Sequence, residues 1–234
     1  MDSFIELKDA SYPEALRESK YPPERLFFQG DISLLRGDRS LDYARDDGLT
    51  GKGRLIAVIG TRAMSEYGRM VTESFVRELV KHNYVIVSGL ARGVDRVAHE
   101  SALKYGGQTI AVLAHGLQMT YPPEHNILRA KIVAFGGLIL SEQEWGVGLT
   151  KQQLILRNRI VTGISHAVLV TESPKSSGTK ITVSWAADQG RDVYVVPGPV
   201  TDPTYTGSVE MIREGCIPVS SPSDLIEQIK GVVS

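Results

Sequence analysis

The sequence predicts an α/β fold, a doubly wound and mostly parallel sheet with helices on both faces. From about residue 55, short apolar runs alternate with helical stretches that are long enough to act as crossovers. The apolar runs are unbroken rather than alternating, which is typical of parallel strands that are covered on both faces. Repeated β–α units of this kind assemble into an open, doubly wound sheet.

Six apolar runs are the predicted strands of the main sheet: 55–60, 84–88, 109–114, 138–141, 167–171 and 193–197. Five helical stretches lie between them: 65–83, 93–106, 122–136, 151–164 and 178–190. In the first helix Val71, Phe75, Val76 and Leu79 share one face, as a helix packed on a sheet requires. The end of the chain, 221–234, begins with Ser and Pro, which predicts a capped terminal helix.

Residues 1–50 differ in character from residues 51–234, and we expect them to form an extension that packs on or leads into the main domain. They contain a short helical stretch and one run, RLFFQG at 25–30, that predicts an edge strand. The following run, 36–54, is too polar to belong to a core, so we predict an exposed loop.

Composition limits the classes of function. The chain has 234 residues, 42% of them hydrophobic, with 23 glycines, which suits a globular α/β protein. The single cysteine, Cys216, cannot form an internal disulfide, and we expect an ordinary buried side chain in a reducing compartment. Acidic residues near the N-terminus argue against a signal peptide, and no apolar run reaches about 18 residues, so we expect a cytoplasmic protein without a membrane segment.

Charge is unevenly distributed along the chain. The net charge is −1, but residues 51–180 hold 16 basic and 9 acidic residues, whereas both flanking segments are acidic. A basic centre between acidic flanks can present a positive face to a polyanion. Cations scattered over solvated helices would give the same count, so the charge pattern leaves both interpretations open.

Ligands of doubly wound sheets lie outside the carboxyl ends of the strands, so the loops after the strands hold the candidate residues. After the first strand, Gly60 allows a sharp turn, Thr61 offers a hydroxyl and Arg62 offers a planar fork suited to phosphate. Ser65 is expected to cap the following helix. We interpret this loop as an anion site; a capped turn with a surface arginine is the alternative.

The loop after the second strand is also rich in glycine. Ser88, Gly89, Arg92 and Gly93 would supply free amides and a cation at a helix N-terminus. Four residues apart on the next helix, Asp95 and His99 could hydrogen-bond each other. No nucleophile accompanies them, so a structural contact is the favoured interpretation of this pair.

After the third strand, His115 could face the same crevice, and a loop with Tyr121 and His125 follows. His115 and His125 do not have a convincing metal-ligand spacing, and we expect neither a metal nor a cofactor.

The helix after the fourth strand carries a dense set of donors without a nearby acid: Lys151, Arg157, Asn158 and Arg159. Leu154 lies among them, and basic residues interleaved with apolar ones suit a nucleic-acid backbone with a base packed alongside. An amphipathic helix with a basic polar face is the alternative.

After the fifth strand, Ser177, Gly178 and Thr179 precede the next helix and lie near Lys175, which predicts a second anion site. Most of these loops thus carry Gly, Ser or Thr, and Arg or Lys, with few acids. A hydrolase would need a poised carboxylate or an activated nucleophile, so the set favours phosphate binding without catalysis.

Six motifs in this order, GTRAMSEYG, VSGLARGVDRVAHESAL, ILSE, RNRIVTGIS, SSGT and VVPG, closely resemble the DprA/Smf family of DNA-processing proteins. The likeness covers roughly residues 8–220. It implies an extended Rossmann-like core that binds single-stranded DNA, forms a homodimer, and helps to load a RecA-type recombinase during recombination or DNA uptake in natural transformation. It also implies that the protein is not an enzyme.

Carried over motif by motif, the resemblance places Arg62, the Gly89–Gly93 loop, Lys151, Leu154, Arg157 and the Ser177–Gly178 loop around the DNA strand. Many family members have Phe where Leu154 stands, so we expect weaker or altered binding here. Two other interpretations remain open. One is a nucleoside-monophosphate phosphoribohydrolase of the lysine-decarboxylase-like type, although its glutamate is missing after the SSGT loop; the other is a sensor domain for a nucleotide signal.

Overall fold

A single nine-stranded sheet forms the centre of the protein, as seen in a computed structural model that describes residues 3–36, 54–199 and 201–231. In chain order the strands are β1 Ser3–Glu6, β2 Arg25–Gly30, β3 Leu55–Gly60, β4 Val85–Ser88, β5 Thr109–Leu113, β6 Leu138–Ser141, β7 Ala167–Glu172, β8 Asp192–Val195 and β9 Ile217–Pro218.

The order of strands across the sheet is β1-β2-β6-β5-β4-β3-β7-β8-β9. The pairs β1–β2 and β2–β6 are antiparallel, and all the others are parallel. The chain reverses its direction of winding between β3 and β7, which is the arrangement of a doubly wound sheet. The predicted mostly parallel, Rossmann-like fold class is confirmed.

Eight α-helices accompany the strands in the described part of the chain: α1 Glu14–Arg17, α2 Glu66–Lys81, α3 Val94–Lys104, α4 Asn126–Ala134, α5 Lys151–Gly163, α6 Thr179–Asp188, α7 Thr206–Arg213 and α8 Pro222–Gly231. Short 3-10 helices span Ile32–Arg36, Pro123–His125 and Pro203–Tyr205. Helices α2, α3, α4 and α8 supply the core on one face of the sheet, and α1, α5, α6 and α7 supply the core on the other.

The central strand β3 shows why the apolar runs are unbroken. Leu55, Ala57 and Ile59 contribute to the core on one face, whereas Ile56 and Val58 contribute to the core on the opposite face. Successive side chains of a strand point to opposite faces, so a strand covered on both sides has no position for a polar residue.

Side-chain caps are present at the N-termini of three helices, at the positions where the sequence predicts these helices to begin. The Ser65 hydroxyl accepts a hydrogen bond from the Gly68 amide, and the Ser221 hydroxyl accepts one from the Asp224 amide, which confirms both predicted caps. Thr150 and Gln153 form a reciprocal capping box at the start of α5. These bonds fix where α2, α5 and α8 begin, and α2 and α5 both start at the carboxyl edge of the sheet.

The N-terminal part of the chain differs from the prediction. RLFFQG does form a strand, β2, but β2 lies between β1 and β6 and is therefore not an edge strand. The edge is β1, whose four residues are too short a run to be predicted from their pattern. The polar run that we predict as an exposed loop lies largely outside the described residues. The division of the chain at residues 50 and 51 stays a prediction, since β1 and β2 share the sheet with the rest.

Within the described ranges, no helix is both long enough and apolar enough to cross a membrane.

Candidate functional site

A cleft of about 450 Å³ opens at the carboxyl ends of β3, β4 and β5, where the sequence predicts a ligand site. Three arginines line it, Arg62 from the loop after β3, Arg92 from the loop after β4, and Arg157 from α5. No carboxylate of the described residues lines this cleft. The charges alone make the cleft attractive to an anion.

The remaining wall is mostly apolar. Leu113 lines it from the end of β5, and Tyr121 and Pro122 line it from the loop that follows. Leu149 and Leu154 line it from the loop before α5 and from α5 itself. An apolar wall beside three guanidinium groups suits a ligand that has both phosphate and a flat apolar face.

Arg157 is buried, and this distinguishes it from the other two arginines of the cleft. Its side chain is 6% exposed and donates hydrogen bonds to the carbonyl oxygens of Gly89 and Val112. Burial lowers the pKa of the guanidinium, while the Asp95 carboxylate acts in the opposite direction. Arg157 therefore anchors the glycine loop from below while its charge contributes to the cleft.

The loop from Gly89 to Gly93 is held from its other side by Asp95. The Asp95 carboxylate accepts hydrogen bonds from the amides of Gly89 and Ala91, at 3.1 and 3.2 Å. The Leu90 side chain is fully buried, and its φ of 59° turns the chain back toward the sheet. Because Asp95 takes two of the loop's amides, fewer of them face the cleft than the sequence predicts.

Asp95 and His99 do not form the predicted contact with each other. Asp95 bonds the glycine loop, whereas Nδ1 of His99 lies 2.7 Å from the Thr109 hydroxyl. Helical spacing places the two residues on one face of α3, but the residues packed against that face decide their partners.

Arg62 and Arg92 both reach the cleft from exposed positions but differ in their partners. Arg62 has no ion pair with any described residue. Arg92 donates to the Glu124 carboxylate at 2.6 Å, so its charge is shared with an acid of the same chain. Arg62 is thus the arginine of the cleft whose guanidinium is available to a ligand.

The residues of α5 have three different environments. Lys151 is exposed at the first turn and has no ion pair with any described residue. Asn158 accepts a hydrogen bond from Arg157. Arg159 is buried and ion-paired with Glu142, so the expectation of cations without a nearby acid is wrong for this residue. The sequence does not predict this ion pair because a loop and two turns of helix separate Glu142 from Arg159.

Polar residues predicted beside the glycine loops have mainly internal partners. The Ser88 hydroxyl is fully buried and donates to the Val58 carbonyl oxygen at 2.7 Å, so it is not presented to the cleft. Thr61 is buried, and its hydroxyl accepts from the Ala63 amide. Gly60 is packed against Val94 and the Glu172 carbonyl oxygen, which leaves no room for a side chain.

The loop after β7 does not line this cleft. Ser177 and Thr179 hydrogen-bond each other through their hydroxyls at 2.7 Å, and Gly178 is exposed beside them. Lys175 and Lys180 both pair with Glu210 of α7, at 3.4 and 2.6 Å. The predicted role of this loop in binding an anion stays a prediction.

Sequence reasoning missed three features of this edge. The Glu172 carboxylate, fully buried at the end of β7, accepts hydrogen bonds from the amide and hydroxyl of Ser65 and so fixes the loop after β3. Leu149 and Trp145 lie in a loop that carries no recognisable motif. A polar residue at the end of an apolar run was a usable signal for Glu172, whereas no pattern in the sequence marks the other two.

No cluster of three or more His, Cys, Asp or Glu side chains that could hold a metal occurs in the described residues. Cys216 is partly buried, and burial raises the pKa of its thiol, as suits an unreactive side chain.

Two buried histidines, His115 in the cleft wall and His99 in α3, are held in their neutral form. His115 lines the cleft, and its Nδ1 lies 3.0 Å from the Gly116 carbonyl oxygen, which can only accept, so Nδ1 carries the hydrogen. Burial lowers the pKa of His115. His99 is fully buried, and burial, with the neighbouring His125 and Arg157, lowers its pKa to about 3.

We expect acid to destabilise the fold through His99. The unfolded chain protonates this histidine near its ordinary pKa of 6.5, while the folded protein resists protonation until about 3. The stabilising effect is therefore complete above the unfolded pKa and is lost as the pH falls toward the folded one. Between about pH 7.5 and about pH 5, linkage predicts a loss of about 2 kcal/mol in the free energy of unfolding.

Urea unfolding of the wild type and of His99→Asn at both pH values measures this effect. Asparagine does not titrate, so the difference between the two pH values should shrink by most of that amount in the variant. An equal pH difference in both proteins would show that His99 is not the responsible group.

The Rossmann-like sheet and the arginine-lined cleft together define an α/β protein of the kind that takes anionic ligands at the carboxyl edge of its sheet. The sequence model of the family described as DNA recombination-mediator protein A matches residues 43–230. The chain belongs to this family, the DprA/Smf family of DNA-processing proteins.

Individual relatives agree with this assignment. The chain is 35% identical to the DNA processing protein DprA of Bacillus subtilis, over 96% of this chain and 70% of that protein. The X-ray structure of DprA from Streptococcus pneumoniae superimposes with a TM-score of 0.83 at 35% identity, over 96% of this chain and 73% of that one. DNA processing protein A from Helicobacter pylori, whose structure was described for its single-stranded DNA binding mode, gives a TM-score of 0.81 at 28% identity, over 99% of both chains.

The chain spans 54% of the length of the Escherichia coli Smf protein.

Proposed function

We propose that this protein binds single-stranded DNA in the arginine-lined cleft, without catalysing a reaction, and acts in DNA processing and recombination. The observation that carries the proposal is the composition of the cleft, to which the described part of the chain contributes three arginines, no carboxylate and an apolar wall that includes Leu154. Phosphates would contact Arg62 and Lys151, and a base would pack on the leucines. Such contacts do not distinguish one base from another, so we expect binding that tolerates any sequence.

The carboxylates near the cleft support a binding role over a catalytic one. Asp95 accepts two amides of the glycine loop, Glu124 pairs with Arg92, and Glu142 pairs with Arg159. A general acid or base must be free to exchange a proton with its substrate. All three side chains are instead engaged in bonds that hold the edge of the sheet together.

The primary test is a titration of labelled single-stranded and duplex oligonucleotides across a salt series. We expect single strands to bind more tightly and their affinity to fall steeply with salt, because phosphate contacts release counterions. Binding that ignores salt, or that favours duplex, would overturn the proposal. Release of free base from a nucleoside monophosphate would support the phosphoribohydrolase instead, and displacement of DNA by a mononucleotide at low concentration would support a nucleotide sensor.

Arg62→Ala and Lys151→Ala should each weaken single-strand binding about tenfold, whatever the sequence, because each removes a charge-assisted contact to phosphate. The slope of log affinity against log salt should become shallower by about 0.7 for each lost contact. Fluorescence anisotropy gives both quantities.

Arg77→Ala and Lys131→Ala are matched controls, since both remove an exposed cation that lies outside the cleft and has no ion pair among the described residues. A wild-type slope in the Arg62 and Lys151 variants, or equal losses in the controls, would show that the strand runs elsewhere.

Membership of the family extends the proposal to two partners and a compartment. We expect a homodimer, a RecA-type recombinase that is loaded onto the bound strand, and action in the cytoplasm. Sedimentation equilibrium tests the dimer, and recombinase filament formation on strands coated with a single-strand-binding protein tests the loading. A monomer at every concentration, or loading at the rate seen without this protein, would remove the corresponding part of the proposal.

A further inference from the structure

Two exposed aromatic side chains belong to the cleft wall and to a loop packed beside it. Tyr121 lines the cleft and is 43% exposed, and Trp145, on the loop between β6 and α5, is 63% exposed. We propose that these two side chains, here called the aromatic rim, stack on unpaired bases of the single strand on either side of the phosphates held in the cleft. The inference rests on the proposed function and adds to it the residues that hold the bases.

The position of Trp145 follows from the contacts of its neighbours. The Val147 carbonyl oxygen accepts a hydrogen bond from the Gly116 amide at 2.9 Å. A Cβ on Gly116 would overlap the Glu144 carbonyl oxygen, so the loop lies directly on this glycine. Gly116 follows His115, which lines the cleft, and Leu149 brings the other end of the loop back to the cleft wall. The residues on both sides of Trp145 are therefore held against Gly116, which places the Trp145 backbone beside the cleft wall.

The two tryptophans of the chain have contrasting surroundings. Trp185 packs edge-on against Tyr21, with ring centroids 6.2 Å apart. Trp145 has no ring or cation partner among the described residues, although its indole is among the largest apolar groups a protein can expose. An exposed indole on a loop whose backbone is held by neighbouring contacts can stack on a flat ligand without first losing another partner.

Charge favours a nucleic-acid strand over a protein as the occupant. Arg62 lines the cleft, and Lys151 begins α5 three residues before Leu154 of the cleft wall; neither has an ion pair among the described residues. A polyanion with exposed bases satisfies the cations and the rings together, whereas an apolar protein surface would leave the cations unpaired. Stacking also requires unpaired bases, so the rim would discriminate against duplex.

Tryptophan fluorescence tests the proposal directly. In a Trp185→Phe background Trp145 is the single tryptophan of the chain. We expect single-stranded oligonucleotide to quench its emission over the same concentrations at which anisotropy reports binding, and duplex at the same concentrations to leave it unchanged. Oligonucleotide that carries abasic sites should bind more weakly and quench less.

Affinity measurements on rim variants complete the test. Trp145→Ala should weaken single-strand binding about five- to thirtyfold, which corresponds to about 1–2 kcal/mol, while Trp145→Phe should keep most of the affinity. Phe135→Ala, which removes an equally exposed ring at the end of α4, should bind as the wild type does. On abasic oligonucleotide, Trp145→Ala and the wild type should bind alike.

Wild-type affinity in Trp145→Ala, together with unchanged fluorescence on binding, would overturn the aromatic rim. If Arg62→Ala still weakened binding in that case, the proposed function would stand without the rim. Failure of the wild type to bind single strands in the salt series would remove the proposed function and the rim together.

Discussion

Replacing Arg157 with alanine is expected to lower the free energy of unfolding by about 3 kcal/mol or more, through a lost donor and an internal cavity. The guanidinium bonds the carbonyl oxygens of Gly89 and Val112, and alanine would leave them without this donor in a buried place. Removing a buried charge relieves some desolvation, but Asp95 already offsets part of that cost. The stability lost with the hydrogen bonds and the filled volume should therefore exceed the stability gained by removing the buried charge.

Urea unfolding monitored by circular dichroism measures the change. Arg157→Met separates volume from hydrogen bonding, and we expect it to be destabilised less than Arg157→Ala because it fills more of the space. Arg96→Ala is the control, since Arg96 is an exposed arginine paired with Glu100 one turn away, and such surface pairs contribute about 0.5 kcal/mol or less. Equal stabilities of Arg157→Ala and the control would mean that Arg157 does not anchor the loop.

Gly93→Ala is expected to be destabilising by about 3–5 kcal/mol, from backbone strain and steric overlap together. Gly93 has φ +74° and ψ −128°, a conformation that a residue with a Cβ adopts only under strain. The added Cβ would also overlap the Thr61 carbonyl oxygen and lie 2.8 Å from the Arg62 Cα. The loops after β3 and β4 would have to separate, and with them two walls of the cleft.

Gly106→Ala is a closely matched control, because Gly106 has φ +77° but nothing within 4 Å of its added Cβ. It should cost about 1–2 kcal/mol, the penalty of the left-handed conformation alone. Thermal or urea unfolding of both variants then measures what the ψ of −128° and the close approach at Gly93 add together to the effect of a positive φ. Similar losses in the free energy of unfolding of the two variants would mean that the Gly93 loop can move to accommodate the added Cβ at little energetic cost.

The sequence predicted the main sheet well because its strands are continuous apolar runs. Predicted strands at 55–60 and 138–141 agree with β3 and β6 at both ends, and the helix that begins after Ser65 was placed by its cap. The β9 strand and the antiparallel β1 lie outside such runs, and both owe their strand character to their neighbours in the sheet. A two-residue strand has too little periodicity to be predicted.

The candidate site could be predicted only as a region. Arg62, Arg92 and Leu154 do meet in one cleft, as expected of loops that follow neighbouring parallel strands. Arg157 and Arg159 lie on the same helix as the exposed Lys151, and nothing in their spacing shows that both are buried. Ser88 follows its strand just as Gly89 does, yet its hydroxyl is turned into the sheet.

The sequence by itself determined the fold class, the family and the edge of the sheet at which a ligand would bind, because these depend on local apolar runs and on residues at strand ends. Tertiary structure decided which cations remain available, since an ion pair such as Arg159–Glu142 or Arg92–Glu124 joins residues that are distant in sequence. It also decided that Trp145 is left exposed on the loop between β6 and α5, because the exposure of a side chain depends on the elements packed around it.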